Sequence, residues 1–204
     1  MEVSAGHRDR DAPLLPWVAR IFEDQGAAVK VGDGDENAVR SLPAGGHEVV
    51  VQGLPNLLHE VLHALQAGVI ADDHAIDYGL IPFDVRVDAQ RRILWEEIAC
   101  AVVSCSFLAD EAAVDPWFAE QVEIQGVFYG FADDDLAGLR AFVEATEAAH
   151  PGEVEAVIEH AQELLEARLR AVGAPEGIAR ARRRCTFAGL WRRYRRVWEE
   201  GLPR

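Results

Sequence analysis

The chain is poor in positive charge, in cysteine and in long apolar runs, and each shortage removes a class of protein. Lys30 is the only lysine; lysine and arginine together number 20 against 35 acidic residues, a formal net charge of −15. That balance opposes a nucleic-acid binder working through bulk electrostatics, so no DNA partner is expected. Acidity otherwise favours solubility and names no partner, and the preference for arginine over lysine reads as a habit of genome composition. Cys100, Cys105 and Cys185 make an odd count without CxxC spacing, which excludes a disulfide framework or a cysteine-rich zinc site. Cys100 and Cys105 sit in an apolar stretch, where a free thiol behaves as a small hydrophobe. The longest apolar stretch, Ile98 to Val103, falls far short of the roughly 20 residues a bilayer demands. The start, Met1 to Asp11, is polar and lacks the apolar core of a signal peptide. A cytoplasmic protein without a membrane partner is the expectation.

Half of the 204 residues are apolar, enough for a real core at this length. One metal-binding domain over 1–204 is expected, with residues 134–204 as a C-terminal helical extension packed on the core. The metal comes from His59-Glu60-Val61-Leu62-His63, an HExxH pentapeptide. On a helix, positions i and i+4 point the same way, so His59 and His63 can close on one ion. Glu60 lies beside them, placed to handle a proton as the catalytic acid or base. Two ordinary core histidines are the bland alternative. Against it, Leu57, Leu58, Val61, Leu62 and Leu65 surround the polar trio, and buried imidazoles need partners that a metal supplies.

The flanks give the architecture. Leu14 to Phe22 reads as a short amphipathic helix, and Val31 to Glu36 as a solvated turn without the spacing of a calcium loop. The β-branched run Glu48 to Gln52 reads as a buried strand. Gly53 and Pro55 open the motif helix and Gly68 closes it. Val69 to Val87 is an irregular connection of the length that is often functional. Asp88 is expected to cap a helix reaching about Leu108. A segment from Pro116 to about Phe131 fits helix or strand. Asp133 to Asp135 should cap a helix to about Ala149, with 152–172 as its antiparallel partner. The fold class is therefore α+β, predominantly helical, with a small sheet beside the HExxH helix.

Two histidines hold a catalytic metal poorly, and no third histidine follows at metzincin spacing. Glu96 and Glu97 are the best third ligands, set in Ile93-Leu-Trp-Glu-Glu-Ile-Ala-Cys-Ala-Val-Val103, because burying a carboxylate unpaired is costly. Coordination removes that cost for one of them; an ion pair, for example with Arg92, would do the same. Asp73, His74 and Asp77 in the long connection are runners-up, and His7, His47, His150 and His160 read as surface residues. Zinc in such a site makes a peptidase or amidase; iron(II) makes a non-haem oxygenase. Spacing does not choose between them.

The C-terminal stretch from Ile178 alternates Arg180, Arg182, Arg183, Arg184, Arg192, Arg193, Arg195 and Arg196 with Phe187, Trp191, Tyr194 and Trp198. Guanidinium groups and rings can hold RNA. At helical spacing, however, Trp191, Tyr194 and Trp198 share one face. An amphipathic helix folding that stripe onto the core, with arginines facing an acidic body, is preferred to RNA contact.

Taken in order, several elements resemble the elongation factor P hydroxylase family. The histidine-glutamate pair with its second histidine follows a β-branched strand and a glycine turn. Asp77-Tyr78-Gly79 is similar to the family's Asp-aromatic-Gly, followed by Pro82, and Asp88-Ala89-Gln90 to the opening of its next helix. Phe118, Val122 and Gln125 are similar to a later Phe-x3-Val-x2-Gln pattern, and Gly32-Asp33 with Leu42-Pro43-Ala44 to an upstream one. The likeness spans roughly Leu14 to Gly130, with Glu123 standing where the family has a histidine. The resemblance implies a peptidase-like (zincin-like) fold adapted to iron, with Fe(II) as cofactor and His59, His63 and Glu96 as metal ligands. In its register the family's aromatic-glutamate pair falls on Trp95-Glu96, selecting Glu96 over Glu97. It implies hydroxylation of a modified lysine on a protein partner, elongation factor P. A zinc-dependent peptidase or amidase, with Zn(II), is the second expectation. A non-catalytic relative binding RNA or the ribosome is the third.

Overall fold

Apolar residues at the helical spacing Val18, Ile21 and Phe22 bury one face of helix α1 (Leu15–Glu23). A computed structural model describes residues 13–32, 37–70, 84–131 and 135–199. After α1, the chain turns through Gly26 into strand β1 (Ala27–Val31). Strands β2 (Ala38–Ser41) and β3 (His47–Val51) form a hairpin closed by Leu42–Gly46, in which the Leu42 N–H donates to Gly46 O. Gly45 and Gly46 take φ of 87° and 84° there, a region glycine enters without a Cβ clash. β3 is the centre strand, parallel to β1 and antiparallel to β2. Val49 and Val51 point into the core, while Glu48 pairs with Lys30.

Helix α2 (Leu54–Ala67) follows β3 directly. Pro55 stands in its first turn, and Gly68 ends it at φ 71°, the left-handed cap that glycine favours. Helix α3 (Asp88–Phe107) begins with Asp88 as its first residue and Val87 at the cap position, one residue from the expected boundary. A 3-10 turn (Glu111–Ala113), capped by the Asp110 side chain, leads into α4 (Val114–Phe128). This settles the 116–131 segment as mainly helical. Asp135 accepts from the Gly138 N–H at 2.9 Å and caps α5 (Leu136–Ala149). Next come α6 (Glu153–Ala171), the short α7 (Glu176–Ala179) and α8 (Phe187–Glu199). The architecture is α+β, predominantly helical with one small three-stranded sheet. No helix among the described residues is long and apolar enough to cross a membrane.

Helix α3 is the axis of the molecule, with every residue from Glu97 to Phe107 buried. Helices α2, α4 and α6 pack on it. The expected hairpin of α5 with α6 is not formed; α6 lies on α3 instead. The reason is surface: α3 offers apolar contact on all sides, with Ala99 and Ala101 allowing close approach, whereas α5 has a narrower buried stripe. A polar junction joins α6 to α3. The Arg91 guanidinium donates to both Glu153 carboxylate oxygens, at 2.7 and 3.1 Å. It also donates to Val85 O and Asp88, and Trp95 Nε1 donates to Glu153. Glu153 opens α6, where a carboxylate also complements the helix dipole.

The C-terminal segment is tied to the end of α3. Ser106 O accepts from the Arg182 and Arg183 N–H groups, and Ser106 Oγ accepts from the Cys185 N–H. Helix α8 then lays Phe187, Leu190, Trp191 and Tyr194 onto the core. Phe187 meets Trp95, and Tyr194 meets Phe118 edge-on, each pair with ring centroids 6.4 Å apart. Its arginines reach carboxylates: Arg193 to Asp115, Arg195 to Glu144, and the preceding Arg184 to Glu159. The Trp198 side chain lies outside the described residues.

Candidate metal centre

Helix α2 presents His59 and His63 one turn apart, with rings 4.6 Å between centroids and their Nε2 atoms 2.9 Å apart. The surrounding α2 residues Leu57, Leu58, Val61 and Leu62 are fully buried. The two imidazoles are thus turned by their own helix toward α3. From α3, Glu97 completes the group. Its Oε2 lies 3.3 Å from His63 Nε2 and 3.6 Å from His59 Nε2. These three side chains are the one group of potential metal ligands among the described residues.

The spacing fits an ion. Metal–ligand bonds of about 2.1 Å place neighbouring donors of a tetrahedral or octahedral set about 3.0–3.4 Å apart. The three observed separations bracket that range, so one ion fits with little movement. Geometry of this kind suits zinc and iron(II) equally.

Of the two candidate carboxylates, the structure brings Glu97 to the histidines and not Glu96, the one the resemblance implies. Glu96 is turned away and bonds Arg92 Nε at 2.6 Å, one helical turn back. Glu97 has Ile93 at the corresponding position, and its helix face is the one against α2. A single step rotates a helical side chain by about 100°, enough to exchange the buried seam for the rim. The register of the family resemblance therefore points to the carboxylate that pairs with Arg92, not to the one beside the histidines. The carboxylate–Arg92 pair considered for this region forms, but on Glu96. Apolar Ile93 four residues before Glu97, where Glu96 has Arg92, was the signal in the sequence that could have chosen it.

Electrostatics tie the group together. Burial opposes charge on His63, but Cys100 and Glu97 outweigh it and hold its pKa well above the ordinary value. Burial likewise works against ionised Glu97, yet His63 and His59 outweigh it and hold its pKa well down. The two shifts together favour an imidazolium–carboxylate contact, and an ion held there would take the place of its proton.

Four further residues stand at or beside the group. Glu60 is half-buried next to His59 on α2. Trp117 of α4 is buried with its ring edge-on to His59, centroids 6.3 Å apart. Cys100, three residues after Glu97, is fully buried. Gln66, three residues after His63, donates from Nε2 to Cys100 Sγ at 3.2 Å. Sequence reasoning passed over Trp117, Cys100 and Gln66. The two i+3 spacings mark Cys100 and Gln66 once Glu97 is chosen. Asp73, His74 and Asp77, the alternative ligands, and the Asp77-Tyr78-Gly79 element lie outside the described residues. Glu123 is half-buried on α4.

No family model, curated protein or solved structure matches the chain.

Proposed function

We propose that the chain is a metalloenzyme whose ion is held by His59, His63 and Glu97. Its leading activity is that of a non-haem iron-dependent hydroxylase acting on a lysine of a protein substrate, for which elongation factor P is the partner its resemblance suggests. The observation that carries the reading is the convergence of two imidazoles and one carboxylate, from two helices, in a seam of apolar side chains. That donor set leaves coordination positions open, as non-haem iron oxygenases require. Bound there, iron(II) would supply the dioxygen chemistry that hydroxylating a C–H bond needs. The chain's own residues have simpler tasks. His59 and His63 serve as neutral donors and Glu97 as an anionic one. Glu60 holds or passes a proton at its carboxylate. Trp117, buried with its ring edge-on to His59, keeps bulk water from that side of the group. The sheet strand running straight into the motif helix is compatible with a peptidase-like frame adapted to this use. A cytoplasmic setting belongs to the same proposal.

A second reading, a zinc-dependent peptidase or amidase, is favoured by Glu60 itself. A glutamate beside the first histidine is the base that activates water in hydrolases of this motif. The third reading, RNA or ribosome binding through the C-terminus, has less support, because Arg184, Arg193 and Arg195 already meet carboxylates.

The test separates the first two readings. Protein reconstituted anaerobically with iron(II) is mixed with elongation factor P from the same organism, a reductant and dioxygen, and the factor's mass is read. Gain of one oxygen atom, lost in His59→Ala and Glu97→Ala, supports the hydroxylase. Cleavage of a peptide library by the zinc form, with no gain in the iron form, establishes the hydrolase instead.

A further inference from the structure

Helix α3 carries Glu97, yet its sequence does little to say which way Glu97 should face. Every residue from Glu97 to Phe107 is buried, so this stretch has no solvent side, and apolar burial alone favours no rotation of the helix about its axis. A rotation of one residue, about 100°, would put Glu96 where Glu97 stands. Hydrogen bonds to other elements are directional and can make the choice. The strongest set lies at the junction with α6. The Glu153 carboxylate accepts from Arg91 Nε and Nη2, at 2.7 and 3.1 Å, and from Trp95 Nε1 at 3.2 Å. A bidentate carboxylate–guanidinium pair is strong and fixed in geometry, and Arg91 and Trp95 are 5% and 1% exposed. They lie one turn apart on one face of α3. Glu97, two residues after Trp95, stands about 200° around the helix from it. One carboxylate thus grips α3 at two points, while the opposite face presents Glu97 to the histidines, with Oε2 3.3 Å from His63 Nε2.

We propose that Glu153 is the positioning residue for Glu97: by gripping Arg91 and Trp95 it sets the rotation of α3 and so turns the Glu97 carboxylate to His59 and His63. This rests on the metal reading above. The other bonds of Arg91 go to Val85 O and Asp88, within α3 or just before it, so they hold the guanidinium without fixing the helix against its neighbours. In the seam itself, Gln66 Nε2 donates to Cys100 Sγ at 3.2 Å, and a thiol sulfur is a weak acceptor. Ser106 Oγ accepts from the Cys185 N–H, but at the far end of the helix from Glu97. Glu153 is therefore the side chain that couples the α3–α6 junction to the metal group, and a buried polar contact here selects one register among several of similar apolar burial.

The experiment uses cobalt(II) as the probe, with Glu153→Ala and Glu153→Gln. Leu139→Ala, which truncates a buried side chain of α5, is the control for lost stability. Affinity is read by chelator competition and ligand geometry by the visible d–d bands, at a temperature where metal-free melting curves show each variant folded. Glu153→Ala is expected to lose about tenfold in affinity, the lower end of the usual effect of removing a group that orients a ligand, and to shift the bands. Glu153→Gln, which keeps an acceptor oxygen, should fall between it and wild type. Leu139→Ala should match wild type in affinity and bands although it melts lower. If Glu153→Ala does not fold, Glu153→Gln set against Leu139→Ala carries the test. Wild-type protein that binds cobalt while the Glu153 variants keep its affinity and bands, or change no more than Leu139→Ala does, overturns the proposal alone. Wild-type protein that binds no stoichiometric cobalt overturns the metal reading and this inference with it.

Discussion

His63 Nε2 lies 3.3 Å from Glu97 Oε2 across the seam between α2 and α3. The contact joins a histidine whose pKa is held up to a glutamate whose pKa is held down. A bound ion must displace that proton, so metal affinity and protonation oppose each other. Affinity for zinc or cobalt should rise with pH through the neutral range, by up to about tenfold per unit for one displaced proton. Calorimetry in two buffers of different ionisation enthalpy checks it, with about one proton released near neutrality. Affinity that is flat with pH from 6 to 8 would contradict the coupling.

The metal-free protein should respond in the opposite sense on the alkaline side. The raised pKa of His63 contributes stability that is full below about 6.5 and is lost as pH climbs through the folded value. The lowered pKa of Glu97 contributes stability that is full above about 4.3 and is lost as pH falls through its folded value. Together they favour the metal-free fold most between those limits. Melting temperatures of the chelator-treated protein should therefore decline above neutrality relative to His63→Ala, and the decline should vanish when metal is added.

The choice between Glu96 and Glu97 is open to direct test. Glu97→Ala should lower metal affinity by at least the roughly 10–100-fold seen for removal of supporting groups, since it removes a donor. Glu96→Ala breaks only a rim contact with Arg92 and should leave metal content unchanged, as measured by elemental analysis after gel filtration. The reverse pattern would move the ligand by one residue.

How far these features could be read from sequence depends on the range of the interaction behind each. The motif helix was legible to its ends because Pro55 and Gly68 act locally. His59 and His63 were legible because one helix places both. The place of Glu97 beside them was not, because it is set by contact between two helices. The parallel pairing of β1 with β3 is equally nonlocal, and Ala27–Val31 carries little strand signal. The α5–α6 hairpin is absent for a related reason: neighbours in sequence need not be neighbours in space, and α3 offers α6 more apolar surface. The aromatic stripe of α8 was legible because its period is helical and its burial follows from it.

Glu153 should matter to stability in a pH-dependent way. Its bond with the Arg91 guanidinium holds its pKa down, with Trp95 Nε1 adding to the effect. A lowered carboxylate pKa contributes stability present above about 4.3 and lost as pH falls. Glu153→Gln should therefore melt below wild type at pH 7, with the gap closing between pH 5 and pH 3. Arg91 is itself buried, so Glu153→Ala, which also leaves the guanidinium without its bidentate partner, should be the worse variant. Parallel melting curves whose separation ignores pH would show that packing, not charge, is what Glu153 provides.

Helix α8 should behave as part of the core despite its run of arginines. Phe187 is 5% exposed and packs against Trp95 and Trp191, so its loss leaves a cavity beside the axial helix. Phe187→Ala should cost about 3–5 kcal/mol in urea unfolding, the usual range for an aromatic core truncation. The transition should remain single, because Ser106 ties 182–185 to the end of α3 and α8 has no core of its own. Limited proteolysis gives the independent reading. Cleavage should start in surface connections and lead to loss of the whole chain. A stable fragment ending near Gly173, with an unfolding free energy close to that of the intact protein, would show that the C-terminal helices are dispensable. Salt adds one more discrimination, since Arg184, Arg193 and Arg195 pair with exposed carboxylates and exposed pairs are worth little. Raising the salt concentration should therefore shift the wild-type transition far less than Phe187→Ala does.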